Sequence, residues 1–407
     1  MHIRFNKLRG CFPLAATFLM RAAPRFVLGL LLLALAAGGA LAHDPSSYGG
    51  VFRSRNLGST WLRADVGLFL NAPLIVAPDP RKPAHLLAGT DLGLIASNNG
   101  GLTWAPEARD LIFGGAFAVI FLDGGERAIC AAQSGVFRFE DGYWTAARTP
   151  AAAIPVRMLA AGASSDHVYL LGRNRLFASR DDGRTFAEVP GPSEAREMTA
   201  LAVIRSAPES IIAVADGQIT TSEDEGRHWR PRGLGGQAGT VEFVTADAQA
   251  PRRVWAAAAG SVYFSDDLGS SWRAAGRTLP EPATKIRGIA ANAEAKIIVV
   301  STNRGLYRSE DGGETWMLKE DNLPIHLEAG PLARDPADAN VLYAVYSLLP
   351  YSEAWRIAAE TGNLSRQLNP LYIAAGVGLL LVVLIGGSLF ALRLVRMRAA
   401  AKPQPSC

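Results

Sequence analysis

Two sets of polar side chains recur along this chain at spacings that could do chemistry. The first is an oxygen donor placed two residues after a serine: Asn56 after Ser54, Asn99 after Ser97, Asp181 after Ser179, Asp224 after Ser222, Asp267 after Ser265 and Asp311 after Ser309. Such oxygens could hold calcium, but each group offers too few of the roughly six to eight ligands that ion takes, so no metal is expected. Serine and Asp or Asn at this spacing instead bond nearby backbone N–H groups and make a tight turn. The second set is Arg157, Thr199, Glu242, Arg287 and Glu328, which fall at equivalent or nearly equivalent places in successive repeats. They could pair with one another as solvated strand ends, or offer a polar contact site to a partner. Arg157, Glu242, Arg287 and Glu328 are the candidate partner-binding residues.

Other chemistry is poorly supplied. The six histidines are scattered, and neither a Gly-rich phosphate loop nor a nucleophile elbow is present. Of three cysteines, Cys11 and Cys407 lie near the ends, and Cys130 sits in the apolar run AICAA. Cys130 therefore reads as a buried strand residue with no internal disulfide partner. Most aspartates belong to turns, among them Asp79 and Asp335 in Asp-Pro pairs. No cofactor and no catalytic residue is expected.

A repeat positions these residues. The stretches SRNLGSTW, SNNGGLTW, SRDDGRTF, SEDEGRHW, SDDLGSSW and SEDGGETW, with a worn copy FEDGYW from Phe139, end in Trp61, Trp104, Phe186, Trp229, Trp272, Trp316 and Trp144. In chain order the aromatics are 43, 40, 42, 43, 43 and 44 residues apart, a period that marks a repeat architecture. Each turn glycine (Gly58, Gly101, Gly183, Gly226, Gly269, Gly313) accepts a positive φ, and the aromatic opens the next strand, where it packs between neighbouring sheets. Four short strands per unit cannot bury both faces alone, so the units stack around an axis as blades. Inner strands are expected to start near Pro155, Met198, Val241 and Ile286.

The first unit lacks room for two inner strands, and AGPLARDP and NVLYAVY, between Ala329 and Tyr346, supply the missing pair. Closing the ring with them removes a free sheet edge. The expected fold is all-β, a seven-bladed propeller of four-stranded blades closed by N- and C-terminal strands, spanning 43–347. An eighth blade ending at Trp355 is disfavoured, because SEAWRIAAETG has no turn glycine before its Trp and reads as a short helix with Ser352 as N-cap and Gly362 beyond its end.

The unit resembles the Asp-box, or BNR, repeat of sialidases, sortilin-type receptors and photosystem II assembly factor-like proteins. The resemblance rests on Ser54, Gly58 and Trp61; Ser97, Gly101 and Trp104; Ser179, Asp181, Gly183 and Phe186; Ser222, Asp224, Gly226 and Trp229; Ser265, Asp267, Gly269 and Trp272; and Ser309, Asp311, Gly313 and Trp316. In that family the box is a structural hairpin on the propeller rim, and its acids are not catalytic. Sialidases of the family use an arginine cluster, a Tyr with a Glu, and an Asp acid/base, with an Arg-Ile-Pro signature near the start; this chain has no Arg-Ile-Pro, and its VFRSRN at Val51 keeps an arginine but not the signature. Resemblance to the assembly factor-like proteins implies a protein-binding scaffold that assists a membrane protein complex. The alternative class is a glycan-binding or glycoside hydrolase propeller.

Charge follows the same organisation. The chain carries 41 Lys and Arg against 37 Asp and Glu, yet residues 1–42 and 370–407 hold nine of the basic groups and no acid. The middle is thus acidic, with no footprint for nucleic acid. Residues 1–42, with an apolar run from Phe26 and ALA before His43, read as a signal peptide, with Met20 as an alternative start. Leu371 to Leu392 is uncharged and long enough to span a bilayer, and Arg393, Arg396, Arg398 and Lys402 follow it. The expected layout is a juxtamembrane linker with a short helix at 348–369, a transmembrane helix at 370–392 and a cytoplasmic tail at 393–407. The propeller is then periplasmic, on a single-pass inner-membrane protein.

Overall fold

A computed structural model describes residues 48–361, apart from 66–69, 193–196, 207 and 235–238. The stretches expected to form a signal peptide, a transmembrane helix and a cytoplasmic tail, and Gly362, lie outside the described residues. Among the described residues no helix is long and apolar enough to cross a membrane.

Seven four-stranded antiparallel sheets form among the described residues, and in six of them the strands follow one another in chain order from the axis outward. The seventh closes the ring: Gly50–Ser54 pairs with Leu342–Ser347, with Val51 opposite Val345, while Leu62–Arg63 lies outside and Glu328–Arg334 inside. Both ends of the chain therefore contribute to one blade, so the sheet edge that each would expose is satisfied by the other.

The core lies between blades. Each of seven apolar clusters joins two adjacent sheets; one packs Leu87 and Leu94 of the first blade against Val119 and Cys130 of the second. Alternation explains this, because successive side chains of a strand point to opposite faces and every blade has two neighbours to face. Cys130 is fully buried, and that burial pushes its thiol pKa far up.

The repeat turns show why their residue types recur. Ser309 Oγ accepts from Gly313 N (2.8 Å) and donates to Asp311 (2.8 Å), which accepts from Thr315 N (2.9 Å) and Thr315 Oγ1 (2.6 Å). Gly313 has φ 95°, and a Cβ there would stand 2.3 Å from the carbonyl oxygen of Ala275 on the neighbouring blade. Glycine is thus required twice, for the turn and for close approach. Indole N–H groups complete the join: Trp316 donates to Arg277 O (2.8 Å), Trp229 to Pro190 O (2.9 Å) and Trp104 to Ala64 O (3.0 Å).

The terminal aromatics pack between neighbouring sheets, Trp61 and Phe186 buried and the others half-buried; Trp272 donates to Gly269 O of its own turn and Trp144 to Glu107 Oε1. Three sequence expectations are corrected. The turn after Phe139 is a two-residue hairpin at Asp141 and Gly142, both with positive φ, as two-residue loops between twisted strands demand. The inner strand expected near Pro155 starts at Met158, just after Arg157, whose N–H donates to Leu171 O. Finally the helix, α1, runs Tyr351–Thr361, so Ser352 is inside it; the carbonyl of Pro350 takes the N–H groups of Glu353 and Ala354.

Candidate functional site at the axial mouth

A β-bulge recurs near the start of the inner strands. The pairing register shifts across Leu74, Phe117, Thr199, Glu242 and Arg287 in five blades and across Gly330 and Pro331 in the seventh. A bulge re-aims the extra side chain, and these are gathered at one end of the axis. In the third blade Arg157 holds the equivalent place just before Met158–Ala161, its N–H bonded to Leu171 O at 2.7 Å.

The ring so formed has an apolar arc and a polar arc. Leu74 and Phe117 make the apolar arc, and α1 lies on it: Ala354 and Ala358 are buried against them. The Tyr351 ring meets Phe117 edge-on at 5.8 Å, and its hydroxyl donates to the carbonyls of Phe117 (3.1 Å) and Arg157. Burial pushes the Tyr351 phenol well above its ordinary pKa, so it remains a donor. The Arg157 guanidinium stacks over Trp355, 4.0 Å from the ring centroid. Two alanines one turn apart let the helix approach closely, with Tyr351 and Trp355 on the same side.

Thr199, Glu242 and Arg287 make the polar arc, which α1 leaves open. Between it and α1 lies a cavity of about 510 Å³, lined also by Phe243, Ile286, Lys285 and Pro331. Arg287 pairs with Glu328 at 2.5 Å; Arg157 lies 3.8 Å from Glu197 and donates to Thr199 O at 3.3 Å. Burial lowers the pKa of both arginines, opposed by their acidic neighbours, without neutralising groups of so high a starting value. Burial likewise raises the Glu242 carboxyl, against the pull of Lys285 and Arg287.

The structure brings Arg157, Glu242, Arg287 and Glu328 to one mouth. Solvated strand ends describe Glu242, which is exposed, but not the arginines, whose side chains are 20% and 17% exposed for Arg157 and Arg287. Leu74, Phe117, Lys285, Tyr351 and Trp355 escaped sequence reasoning. Leu74 and Phe117 occupy the same repeat position as Glu242 and were legible there, but a search for polar groups passes over them. Among the described residues no cluster of three or more His, Cys, Asp or Glu could hold a metal ion.

No family model and no curated protein matches the chain. Solved structures do. "YCF48 bound to D1 peptide" is 17% identical with a TM-score of 0.52, over 76% of this chain and 97% of that one. YCF48 from Cyanidioschyzon merolae is 13% identical with a TM-score of 0.51, over 68% and 96%. The Cps50 (Swd1) propeller domain of Myceliophteria thermophila is 12% identical with a TM-score of 0.50, over 69% and 98%. Similarity at such identities is one of fold alone, and the fold of the described residues is a seven-bladed propeller.

Proposed function

We propose that the protein is a membrane-anchored, exported scaffold without enzymatic activity, whose axial mouth binds a segment of a membrane protein and assists assembly or stability of its complex. The observation that carries this reading is the half-covered mouth: an apolar lining beside the exposed charges of Glu242 and Lys285, in a cavity that α1 leaves open. Pockets of this size and mixed lining suit a side chain or two of a peptide. That a propeller of similar fold is described as bound to a D1 peptide supports the same direction. The repeat turns are read as Asp-boxes, structural elements on the rim. A sialidase-like reading asks for a convergent arginine cluster with a Tyr and a Glu; here the Tyr351 hydroxyl is committed to two carbonyls, Arg157 to Trp355, and Arg287 to Glu328.

Charge reversal of the exposed pair tests the reading. The tagged full chain and its Glu242→Lys and Lys285→Glu variants are purified from native membranes in gentle detergent, and co-purifying proteins are identified by mass spectrometry. Like charge across an interface can weaken binding by several kcal/mol, so membrane proteins recovered with the parent should be lost with at least one variant whose melting is unchanged. Equal recovery from all three would remove the mouth from the binding surface.

A further inference from the structure

We propose that α1 is a displaceable cover: it seals the apolar arc of the mouth until a partner helix of its own kind, with small side chains one turn apart and an aromatic beside them, takes its place on Leu74 and Phe117. The cover presupposes the binding mouth of the proposed function, and adds which kind of segment enters and what controls its entry.

The bulges show what α1 conceals. In the fourth, fifth and sixth blades the side chains that they re-aim are Thr199, Glu242 and Arg287, which are partly exposed or exposed. At the same place in the first two blades stand Leu74 and Phe117, each 1% exposed. Two large apolar side chains are thus aimed at the mouth and then sealed by a helix that belongs to no sheet. The seal also shows what the arc accepts. Ala354 and Ala358, four residues apart, let a helix come close, and Tyr351 and Trp355 lie on the same side.

The contact is poorer than those that join the blades. Among the described residues, four side chains are buried where α1 meets the blades, two of them alanines, whereas each cluster between blades buries eight to eleven. Trp355 Nε1 is sealed from water and has no acceptor among the described residues. An orphaned donor of this kind lowers the ratio of docked to lifted helix by about fivefold or more, since it bonds water freely once the helix lifts. Nor does α1 fill the opening, because the cavity of about 510 Å³ remains beside it.

The helix is equipped to lift as a unit. The ion pairs of Arg356, to Glu353 and Glu360 at 2.6 Å, are internal to α1 and travel with it. The turn before it is tied separately: Leu349 N donates to Ser347 Oγ at 3.2 Å, and that hydroxyl to Leu349 O at 2.6 Å, so the swing is about Pro350. A partner helix longer than the eleven residues of α1 would cover the same arc and fill the cavity beside it. Its better fit to the uncovered mouth is what shifts the population from covered to open.

Substitutions that lift α1 test this on the full chain in gentle detergent. Ala354→Glu and Ala358→Glu each put a carboxylate against Leu74 and Phe117 and leave the blades untouched, so 351–361 should exchange hydrogen several-fold faster while the strands keep their protection. Strands that accelerate together with 351–361 would make α1 core and overturn the cover. The probe is a fluorescein-labelled peptide of residues 348–361, read by anisotropy. It should bind both variants at least about fivefold more tightly than the parent, because affinity for a covered site falls with the fraction uncovered. Equal binding to parent and variants overturns displacement. Recovery of the membrane proteins that co-purify with the parent should rise in Ala354→Glu and Ala358→Glu. No rise there, with recovery still lost in Glu242→Lys or Lys285→Glu, overturns the cover and leaves the mouth as the binding site. Recovery indifferent to all four changes removes the mouth, and the cover with it.

Discussion

At the turn that ends in Trp316, one carboxylate gathers three donors. Thr315's hydroxyl and N–H and Ser309's hydroxyl all donate to Asp311, and they hold its carboxyl at about 2, below the usual range. A lowered folded pKa means that the contribution is complete above the unfolded value of about 4 and is lost as pH falls through about 2. The difference in melting temperature between parent and Asp311→Asn should therefore be constant above about pH 4 and close toward pH 2; a gap that persists into acid would show that the turn depends on shape alone. The aromatics of the same turns should separate by burial. Trp61, 1% exposed, should cost about 3–5 kcal/mol on truncation to alanine, whereas half-buried Trp316 should cost only about 1–2 kcal/mol, both read by chemical denaturation. Comparable losses at the two sites would mean that the carbonyl contact of Trp316, and not burial, joins the blades. Ser, Asp, Gly and Trp were legible in the sequence because each does a local job; how deep each indole sits was not, since that depends on the neighbouring blade.

Among the elements, α1 is the one whose place the chain order conceals. A helix at about this position was readable from composition, but as part of a linker; in the structure Tyr351, Ala354, Trp355 and Ala358 lay it on Leu74, Phe117 and Arg157. Its docking partners come from the first three blades, more than 190 residues upstream, as the Tyr351 contacts to Arg157 and Phe117 show. No local pattern reports such contacts. Tyr351→Phe should forfeit the hydroxyl donation, about 1 kcal/mol, and Trp355→Ala the stack under Arg157. Hydrogen exchange should then accelerate in 351–361 while blade strands keep their protection. Equal acceleration in the strands would make α1 an integral part of the core and not a cover on the mouth. Reversing Arg157 and Arg287 together, neutral for folding if both were solvated, should now lower stability, because each charge is largely buried against a partner.

At the scale of the whole molecule, the charge layout makes a claim about topology. A reporter active only in the cytoplasm should give signal when fused after Lys402 and none when fused near Gly239; the reverse pattern would place the propeller in the cytoplasm and end the proposed function. Ring closure was determined by the sequence itself. The first unit has no room for inner strands and the last has two to spare, so one pairing satisfies both edges, and Gly50–Ser54 against Leu342–Ser347 is that pairing. Blade number followed from the same count, because a repeat states its period in every copy. What tertiary structure alone decided is the mouth. Leu74, Phe117, Arg157, Thr199, Glu242 and Arg287 are spread over 214 residues, and only closure of the ring and bulging of the inner strands put them around one opening. Which arc α1 covers depends on summed contacts across blades, apolar on one side and charged on the other, and a burial of that kind has no counterpart in the spacing of residues along a chain.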